Sequence, residues 1–249
     1  MKYLAIIPAR YGSTRFPGKP LADIGGKTMI RRVFEQSAKV FDNLFVATDD
    51  TRIFNSVIEF GGDAVMTSES HPNGTGRALE AMYAIERLKG ERCSFIINIQ
   101  GDEPFVKPEQ LKELITVFDG SDTEIATLVK KIELSEEIFN PNIPKVVFDK
   151  TGNALYFSRS PIPYVRDSDK ESWINKSVFY KHVGLYGYRR DILERIVNLN
   201  KGTFEEAESL EQLRWLEFGF KIKVTETTYG SYSIDTPADI ENLRLKGII

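Results

Sequence analysis

The first half of the chain alternates short apolar runs with segments of helical periodicity, and this alternation constrains the fold more than any other feature. Strands that alternate with helices form a parallel sheet covered by crossover helices. The pattern predicts strands at residues 4–8, 44–48, 64–67 and 95–99, and helices at residues 28–40, 52–60, 77–89 and 108–118. The predicted fold class is therefore α/β.

The second half favours extended structure joined by turns rich in proline and glycine. The predicted elements are strands at residues 125–132, 145–148, 154–158, 180–188 and 222–225, and helices at residues 210–218 and 237–246. We interpret residues 1–249 as a single domain that carries a β-rich subregion at residues 133–190.

Composition excludes several classes of protein. The chain has 33 Lys and Arg residues against 36 Asp and Glu residues, a formal net charge of −3, which argues against a nucleic-acid-binding surface driven by counterion release. The single cysteine, Cys93, excludes an internal disulfide and is expected to be buried. The opening apolar stretch is far shorter than the roughly 20 residues of a membrane span. We therefore expect a cytoplasmic protein that binds neither nucleic acid nor a membrane.

A loop rich in cations and glycine follows the first predicted strand. Residues 10–20 read Arg-Tyr-Gly-Ser-Thr-Arg-Phe-Pro-Gly-Lys-Pro. Glycine lets the backbone approach phosphate oxygens, arginine provides forked donors and lysine provides a compact charge. The loop is not a Walker A motif, because five residues separate Gly12 from Gly18 and Pro20 replaces the metal-binding hydroxyl residue. Since ligands of open α/β sheets bind beyond the carboxyl ends of the strands, the loop is a candidate triphosphate site, with a solvated basic loop as the alternative.

Two aspartates beside predicted strands are candidate magnesium ligands. Asp102 follows the strand at residues 95–99 in a Gln-Gly-Asp turn, and Asp235 precedes the last helix. There Thr236 suits the N-cap and Asp239 the capping box, which leaves Asp235 outside the cap. Mg²⁺ prefers one or two protein carboxylates together with phosphate oxygens and water. The alternative for each aspartate is a turn or a cap.

Several motifs, taken in order, resemble those of the 3-deoxy-manno-octulosonate (Kdo) cytidylyltransferases over nearly the whole chain. They occupy residues 6–20, 46–49, 98–104, 139–142, 154–160, 182–188, 209–214 and 234–237. The cation-rich loop and the Gln-Gly-Asp turn are shared with sugar nucleotidyltransferases more widely. The segments Leu155-Tyr-Phe-Ser-Arg159 and Leu210-Glu-Gln-Leu-Arg214 narrow the resemblance to this family.

The resemblance implies a Rossmann-like nucleotide-diphospho-sugar transferase fold with a mixed, mostly parallel sheet, and a homodimer. The β-rich subregion is our candidate for the dimer interface. It implies an enzyme that activates Kdo with CTP, giving CMP-Kdo and pyrophosphate for lipopolysaccharide biosynthesis, with Mg²⁺ as cofactor. The implied nucleotide-binding residues are Arg10, Gly12, Ser13, Arg15, Lys19, Thr75 and Arg77. The implied sugar-binding residues are Gln100, Arg159, His182, Tyr186, Glu211 and Gln212. The implied catalytic residues are Lys19, Asp102 and Asp235, of which the two aspartates hold the metal.

The chain departs from the resemblance at one position. Residues 71–77 read His-Pro-Asn-Gly-Thr-Gly-Arg, and Gly76 stands where the family has an acid. Loss of an acid that only orders Arg77 would weaken nucleotide binding modestly, whereas loss of a catalytic acid would leave the chain slow or inactive. Two alternatives stay open: a related nucleotidyltransferase of similar fold that uses another acidic or amino sugar, and a catalytically inactive binding relative, for which Gly76 is the one indication in the sequence.

Overall fold

The computed structural model of the protein describes residues 2–12, 16–120, 122–230 and 234–249. The strands are β1 (Tyr3–Ala9), β2 (Leu44–Thr48), β3 (Ala64–Met66), β4 (Phe95–Asn98), β5 (Ile125–Lys131), β6 (Lys145–Phe148), β7 (Ala154–Ser158), β8 (Tyr180–Arg189) and β9 (Ile222–Glu226). The α-helices are α1 (Met29–Ser37), α2 (Thr51–Glu59), α3 (Gly74–Lys89), α4 (Pro108–Thr116), α5 (Ser135–Phe139), α6 (Trp173–Lys176), α7 (Arg190–Val197), α8 (Thr203–Glu208), α9 (Glu211–Glu217) and α10 (Pro237–Leu245). Among the described ranges, every helix is too short or too polar to cross a lipid bilayer.

The chain divides into two compact units. Residues 1–112 and 231–249 form the first unit, and residues 113–230 form the second. The first contains β1 to β4, α1 to α3 and α10, and the second contains β5 to β9 and α5 to α9. The predicted β-rich subregion, residues 133–190, falls within the second unit. The interpretation of the chain as a single domain stays a prediction.

The first unit is built on a parallel sheet with the strand order β3, β2, β1, β4. β1, β2 and β4 are largely buried and rich in branched aliphatic residues, as expected of parallel strands covered on both faces. Because β2 and β4 lie on opposite sides of β1, the strand order reverses there, and such a switch point is where open α/β sheets bind ligands. The four strands predicted in this half of the chain are confirmed, with bounds that differ by at most one residue.

Helix α3 begins three residues earlier than the predicted start at residue 77. The side chain of Asn73 is the N-cap, and its Oδ1 accepts a hydrogen bond of 2.9 Å from the backbone N–H of Gly76. An N-cap of this kind satisfies one of the free donors of the first turn, so the glycines at residues 74 and 76 are helical despite their low helix propensity. The helix ends before Gly90, which has a left-handed φ of 70°.

The second unit is organised around β5, which pairs in parallel with β9 and antiparallel with β8. β6 pairs antiparallel with β7 and with β8. A bulge interrupts β8: Thr127 lies opposite Tyr186, whereas Leu128 lies opposite Val183. The strands predicted in this half are confirmed to within one residue, and the predicted mixed, mostly parallel α/β arrangement is confirmed.

Helices α7 and α8 were not predicted. α7 follows β8 directly, with no proline or glycine to separate the two elements. α8 has six residues and ends at Ser209, which adopts a left-handed φ of 51° without being glycine. The predicted helices at residues 210–218 and 237–246 are confirmed with similar bounds.

Candidate active site

A pocket opens in the first unit at the carboxyl ends of β1 and β4. Its walls come from the end of β1, from the cation-rich loop, from the start of α3 and from the turn after β4. The predicted site residues that line it are Arg10, Lys19, Arg77, Gln100, Asp102 and Asp235. The pocket therefore lies at the switch point of the sheet and collects residues from four separate parts of the sequence.

The ends of β1 and β4 approach each other closely at Gly101. A side chain there would place its Cβ 2.8 Å from the carbonyl oxygen of Pro8, closer than Cβ atoms come to other atoms in proteins. Glycine is therefore required at this position by a close approach of two backbone segments. The contact holds the turn that carries Asp102 against the end of β1, which leads into the cation-rich loop.

Lys19 joins the two candidate metal ligands. Its Nζ lies 2.8 Å from Asp102 Oδ2 and 3.3 Å from Asp235 Oδ1. The Lys19 side chain is 14% exposed, whereas those of Asp102 and Asp235 are 31% and 42% exposed. Both carboxylates thus lie within reach of one small cation and remain open to solvent. The structure brings together the three residues that the sequence assigns to catalysis.

Backbone contacts and a helix cap position Asp235. The N–H of Ile234, which is fully buried, donates to the carbonyl oxygen of Asp102 at 3.0 Å. Asp239 Oδ2 accepts from the backbone N–H groups of Asp235 and Thr236 at 2.9 and 2.8 Å, and the predicted capping box is confirmed. Burial raises the pKa of Asp239, but these donors outweigh it and hold the pKa below its ordinary value.

The acid that follows Asp102 in the sequence is buried. Glu103 is 7% exposed, and its burial, together with the neighbouring charge of Asp102, raises its pKa to about 8. At neutral pH this carboxyl group is therefore mostly protonated and uncharged.

The donor chemistry of Asp102 and Asp235 fits a magnesium ion. Both offer carboxylate oxygens, and the ammonium group of Lys19 shows that one cation can contact both. Across residues 2–12, 16–120, 122–230 and 234–249, no group of three or more His, Cys, Asp or Glu residues is arranged to hold a metal ion. Since Mg²⁺ usually takes one or two protein carboxylates and completes its shell with phosphate and water, two aspartates suffice.

Arg77 is buried and is oriented by residues at the ends of two strands. Its Nη2 donates to Asp49 Oδ2 at 2.5 Å, and its Nη1 donates to Thr67 Oγ1 at 2.6 Å. A side chain at position 76 would instead begin 3.2 Å from His71 Nδ1. The orientation of Arg77 therefore does not depend on an acid at position 76, where this chain has glycine.

Two residues that support the pocket were not predicted. Asp49, the partner of Arg77, ends the motif at residues 46–49 and follows β2 at the same sheet edge as Asp102, so its position after a strand was a usable signal. His71 lines the pocket, and its Nε2 bonds to Glu80 Oε2. Glu80 lies on the second turn of α3, and nothing in the sequence pattern connects it to His71.

Five of the predicted sugar-binding residues belong to the second unit. His182 and Tyr186 lie on β8, Arg159 follows β7, and Glu211 and Gln212 begin α9. Gln212 and Tyr186 are 5% and 6% exposed. Burial raises the pKa of Tyr186 well above its ordinary value, so its hydroxyl stays protonated.

The His182 ring packs against two aromatic rings. Its centroid lies 5.3 Å from that of Phe157 and 5.2 Å from that of Tyr186. Burial lowers the pKa of His182 to about 4, because the charged form loses hydration. His182 is therefore neutral at physiological pH, as suits a hydrogen-bonding role.

The guanidinium of Arg159 bonds to backbone carbonyl groups. Its Nε donates to Glu208 at 2.7 Å, its Nη1 to Pro141 at 3.0 Å and its Nη2 to Ser209 at 3.4 Å. The Glu208 carboxylate accepts instead from the backbone N–H of Arg159, at 2.8 Å. These neutral acceptors fix the orientation of the guanidinium without neutralising its charge, which stays available to an anionic group.

The remaining predicted site residues either do not line the pocket or lie outside the described residues. Ser13 and Arg15 lie outside the described residues. Gly12 and Thr75 are described, but neither lines the pocket. Glu211 accepts a hydrogen bond from Arg214 Nη2 at 3.0 Å. The ligand-binding roles of all the predicted site residues stay predictions.

Comparison with known proteins identifies the family. The sequence model of the cytidylyltransferase family, described as "Cytidylyltransferase", matches residues 4–222. A 3-deoxy-manno-octulosonate cytidylyltransferase of Parabacteroides distasonis is 54% identical over 97% of this chain and 96% of its own length. A protein of the same name from Bacteroides thetaiotaomicron is 52% identical over the same shares of both chains.

A solved structure gives the same result. It is that of a CMP:2-keto-3-deoxy-manno-octonic acid synthetase in complex with CTP. The two structures superpose with a TM-score of 0.89 at 41% sequence identity, covering 100% of this chain and 99% of the other. The agreement in sequence and in fold extends over essentially the full length of both chains, and the chain belongs to the 3-deoxy-manno-octulosonate cytidylyltransferase family.

Proposed function

We propose that this protein transfers CMP from CTP to Kdo and releases pyrophosphate, and that it requires Mg²⁺. The observation that carries the proposal is the meeting of Lys19, Asp102 and Asp235 at the switch point of a parallel sheet. Its family relatives carry the name of this activity. In the proposed reaction the anomeric hydroxyl of Kdo attacks the α-phosphorus of CTP in line, and no covalent intermediate with the protein is needed.

The cations of the pocket would bind the triphosphate. Arg10 is exposed at the end of β1 and offers a forked donor to phosphate oxygens. Lys19 is held beside two carboxylates and is positioned to bond phosphate oxygens that arrive there. The first turn of α3, which lines the pocket at Asn73 and Gly74, adds backbone N–H groups and the positive end of a helix dipole.

Asp102 and Asp235 would hold the magnesium ion. When bound, the ion would neutralise negative charge that develops on the transferred phosphate and on the leaving pyrophosphate. Glu103 does not add to the negative charge near neutral pH, because its pKa is raised to about 8 by burial and by Asp102. The turn therefore carries less negative charge than two ionised carboxylates would give it, which suits a site that also binds a triphosphate.

The second unit offers groups suited to an acidic sugar. The Arg159 guanidinium is fixed by carbonyl groups and can pair with a carboxylate. His182 is neutral and Tyr186 keeps its hydroxyl proton, so both can hydrogen-bond to sugar hydroxyls. Gln100, Glu211 and Gln212 stay predicted sugar contacts.

A pyrophosphate-release assay tests the proposal. We expect rapid release with CTP, Kdo and Mg²⁺ together, and little release when Mg²⁺ is chelated or UTP replaces CTP. Sialic acid, amino-Kdo and methylerythritol phosphate serve as competing acceptors. Faster release with one of these acceptors would assign the chain to a related nucleotidyltransferase, and no release with any acceptor would indicate an inactive binding protein.

We also propose that the protein acts in the cytoplasm as a homodimer formed through residues 133–190. This region exposes large apolar side chains that a monomer would leave in water: Leu134, Leu155, Tyr164 and Val178 are 56%, 61%, 75% and 49% exposed. Replacing Leu155 with Asp should convert the dimer to a monomer, as measured by light scattering after size exclusion. A wild-type monomer at micromolar concentration would contradict the proposal.

A further inference from the structure

Thr127 fills the bulge of β8 with its side chain. It is fully buried, and its Oγ1 lies 2.7 Å from the carbonyl oxygen of Leu185 and 3.2 Å from that of Val183. The same oxygen lies 3.1 Å from His182 Nε2. Bulges are frequent next to functional sites, where they redirect a side chain. One hydroxyl therefore contacts two carbonyl oxygens of the bulge and one ring nitrogen of His182.

The hydrogen-bonding capacity of a hydroxyl decides the direction of each bond. A threonine hydroxyl has one proton to donate and two lone pairs that accept. Carbonyl oxygens only accept, so the proton goes to a carbonyl, and that of Leu185 is the closer of the two. The contact with His182 must then use a lone pair of Thr127, which requires that Nε2 carries a hydrogen.

Because His182 is neutral, a hydrogen on Nε2 also determines the state of Nδ1. A neutral imidazole carries one N–H and one bare nitrogen. With the hydrogen on Nε2, the bare nitrogen is Nδ1, and Nδ1 has no hydrogen-bond partner within the part of the chain that the structure describes. The His182 residue as a whole keeps part of its surface exposed.

We propose that Thr127 is a positioning residue that fixes His182 in the Nε2–H tautomer and thereby makes Nδ1 an acceptor for a hydroxyl group of the sugar substrate. The proposal rests on the proposed sugar-binding role of His182 and deepens it. It predicts that the group which bonds to His182 is a donor: a hydroxyl of a polyhydroxylated acid fits, whereas a carboxylate or a phosphate oxygen does not.

Nitrogen NMR of ¹⁵N-histidine-labelled protein tests the tautomer directly. The chain has only two histidines, His71 and His182, so the spectrum is simple and a His71→Gln variant assigns it. We expect the protonated-nitrogen signal of His182 at Nε2 and the bare-nitrogen signal at Nδ1. A proton on Nδ1 in the wild-type protein would overturn the proposal, whatever the variants show.

Two matched variants then test the role of the hydroxyl. Thr127→Val keeps the shape and removes the hydroxyl, and it should mix the tautomers and raise the KM for Kdo roughly tenfold, the equivalent of one hydrogen bond, with the KM for CTP unchanged. Thr127→Ser should restore both the tautomer and the KM. Circular dichroism and thermal melting confirm that both variants are folded.

The outcomes separate this inference from the proposed function. If Thr127→Val changes the tautomer while the KM for Kdo stays at the wild-type value, Nδ1 does not bind the sugar and the inference fails, although Kdo remains the substrate. If wild-type protein turns over no Kdo at all, the proposed function fails independently of the tautomer.

Discussion

The pocket of the first unit and the predicted sugar-binding residues on β8 of the second unit differ in their chemistry. The pocket of the first unit contains a group of charged side chains, Lys19, Asp102 and Asp235, that contact one another and keep part of their surface in solvent. The predicted sugar-binding residues on β8 in the second unit are enclosed by aromatic rings and are uncharged at neutral pH. Charged groups suit the binding of phosphates and a metal ion, whereas neutral, oriented hydrogen-bonding groups suit the binding of sugar hydroxyls. The comparison therefore predicts whether a substitution lowers catalytic activity, folding stability or the pH dependence of stability.

The largest effect is expected from Asp102→Ala. Removing this carboxylate takes away one of two proposed metal ligands, and we expect kcat to fall by roughly a thousandfold or more, in line with the loss of a main source of charge stabilisation. Pyrophosphate release under saturating CTP and Kdo measures it. Asp42→Ala, which removes an exposed aspartate of the same unit, is the matched control and should be active. An active Asp102→Ala protein would show that the charged pocket of the first unit does not need this carboxylate for catalysis.

A smaller but substantial effect is expected from Asp49→Ala. This change leaves the buried guanidinium of Arg77 without its charged partner, and such a loss typically costs about 3–5 kcal/mol of unfolding free energy. Denaturant unfolding measures it. Asp50→Ala is the control in the next position: its partner Arg52 is 58% exposed, so mainly an N-cap is lost, at about 1 kcal/mol. Equal losses in the two variants would show that the burial of Arg77 contributes little.

The smallest effect is expected from pH at His182. Its pKa is lowered to about 4 in the folded protein, below the ordinary value of 6.5, so the unfolded state binds the additional proton as pH falls. From pH 7 to pH 5 this residue alone should lower the unfolding free energy by about 1–2 kcal/mol. Unfolding curves of wild-type protein and His182→Gln at both pH values isolate this contribution. Parallel losses in the two proteins would mean that His182 is not held neutral.

The sheet was predictable because its signals are local. The strands at residues 145–148 and 154–158 have the predicted bounds, since β-branched and aromatic residues flank the turn at Gly152 and Asn153. The meeting of Lys19 and Asp102 was expected because the segments that carry them follow β1 and β4 at one sheet edge, whereas Asp235 was identified as the acid left outside the cap of the last helix. Helix α8 was not predictable in this way, because Ser209 ends it in a conformation that the sequence pattern assigns to glycine.

The supporting residues were harder to predict, because their roles depend on contacts between distant positions. Thr127 reads as an ordinary buried strand residue until the bulge of β8 places two carbonyl oxygens and His182 around its hydroxyl. Asp49 could be found as an acid after a strand, but its partner Arg77 lies on a helix whose first turn reads as a glycine loop. Sequence pattern identifies elements and their ends, and side-chain partners follow only from the fold.

The close approach of Gly101 to Pro8 has a consequence for engineering the pocket. Two main-chain segments in close contact, at Gly101 and Pro8, set the distance between the turn that carries Asp102 and the cation-rich loop. This distance therefore cannot be shortened by exchanging side chains. Even alanine at position 101 would act as a wedge between two neighbouring strand ends. Libraries that aim to change the ligand specificity of this pocket should therefore keep this glycine invariant and vary the surrounding side chains instead.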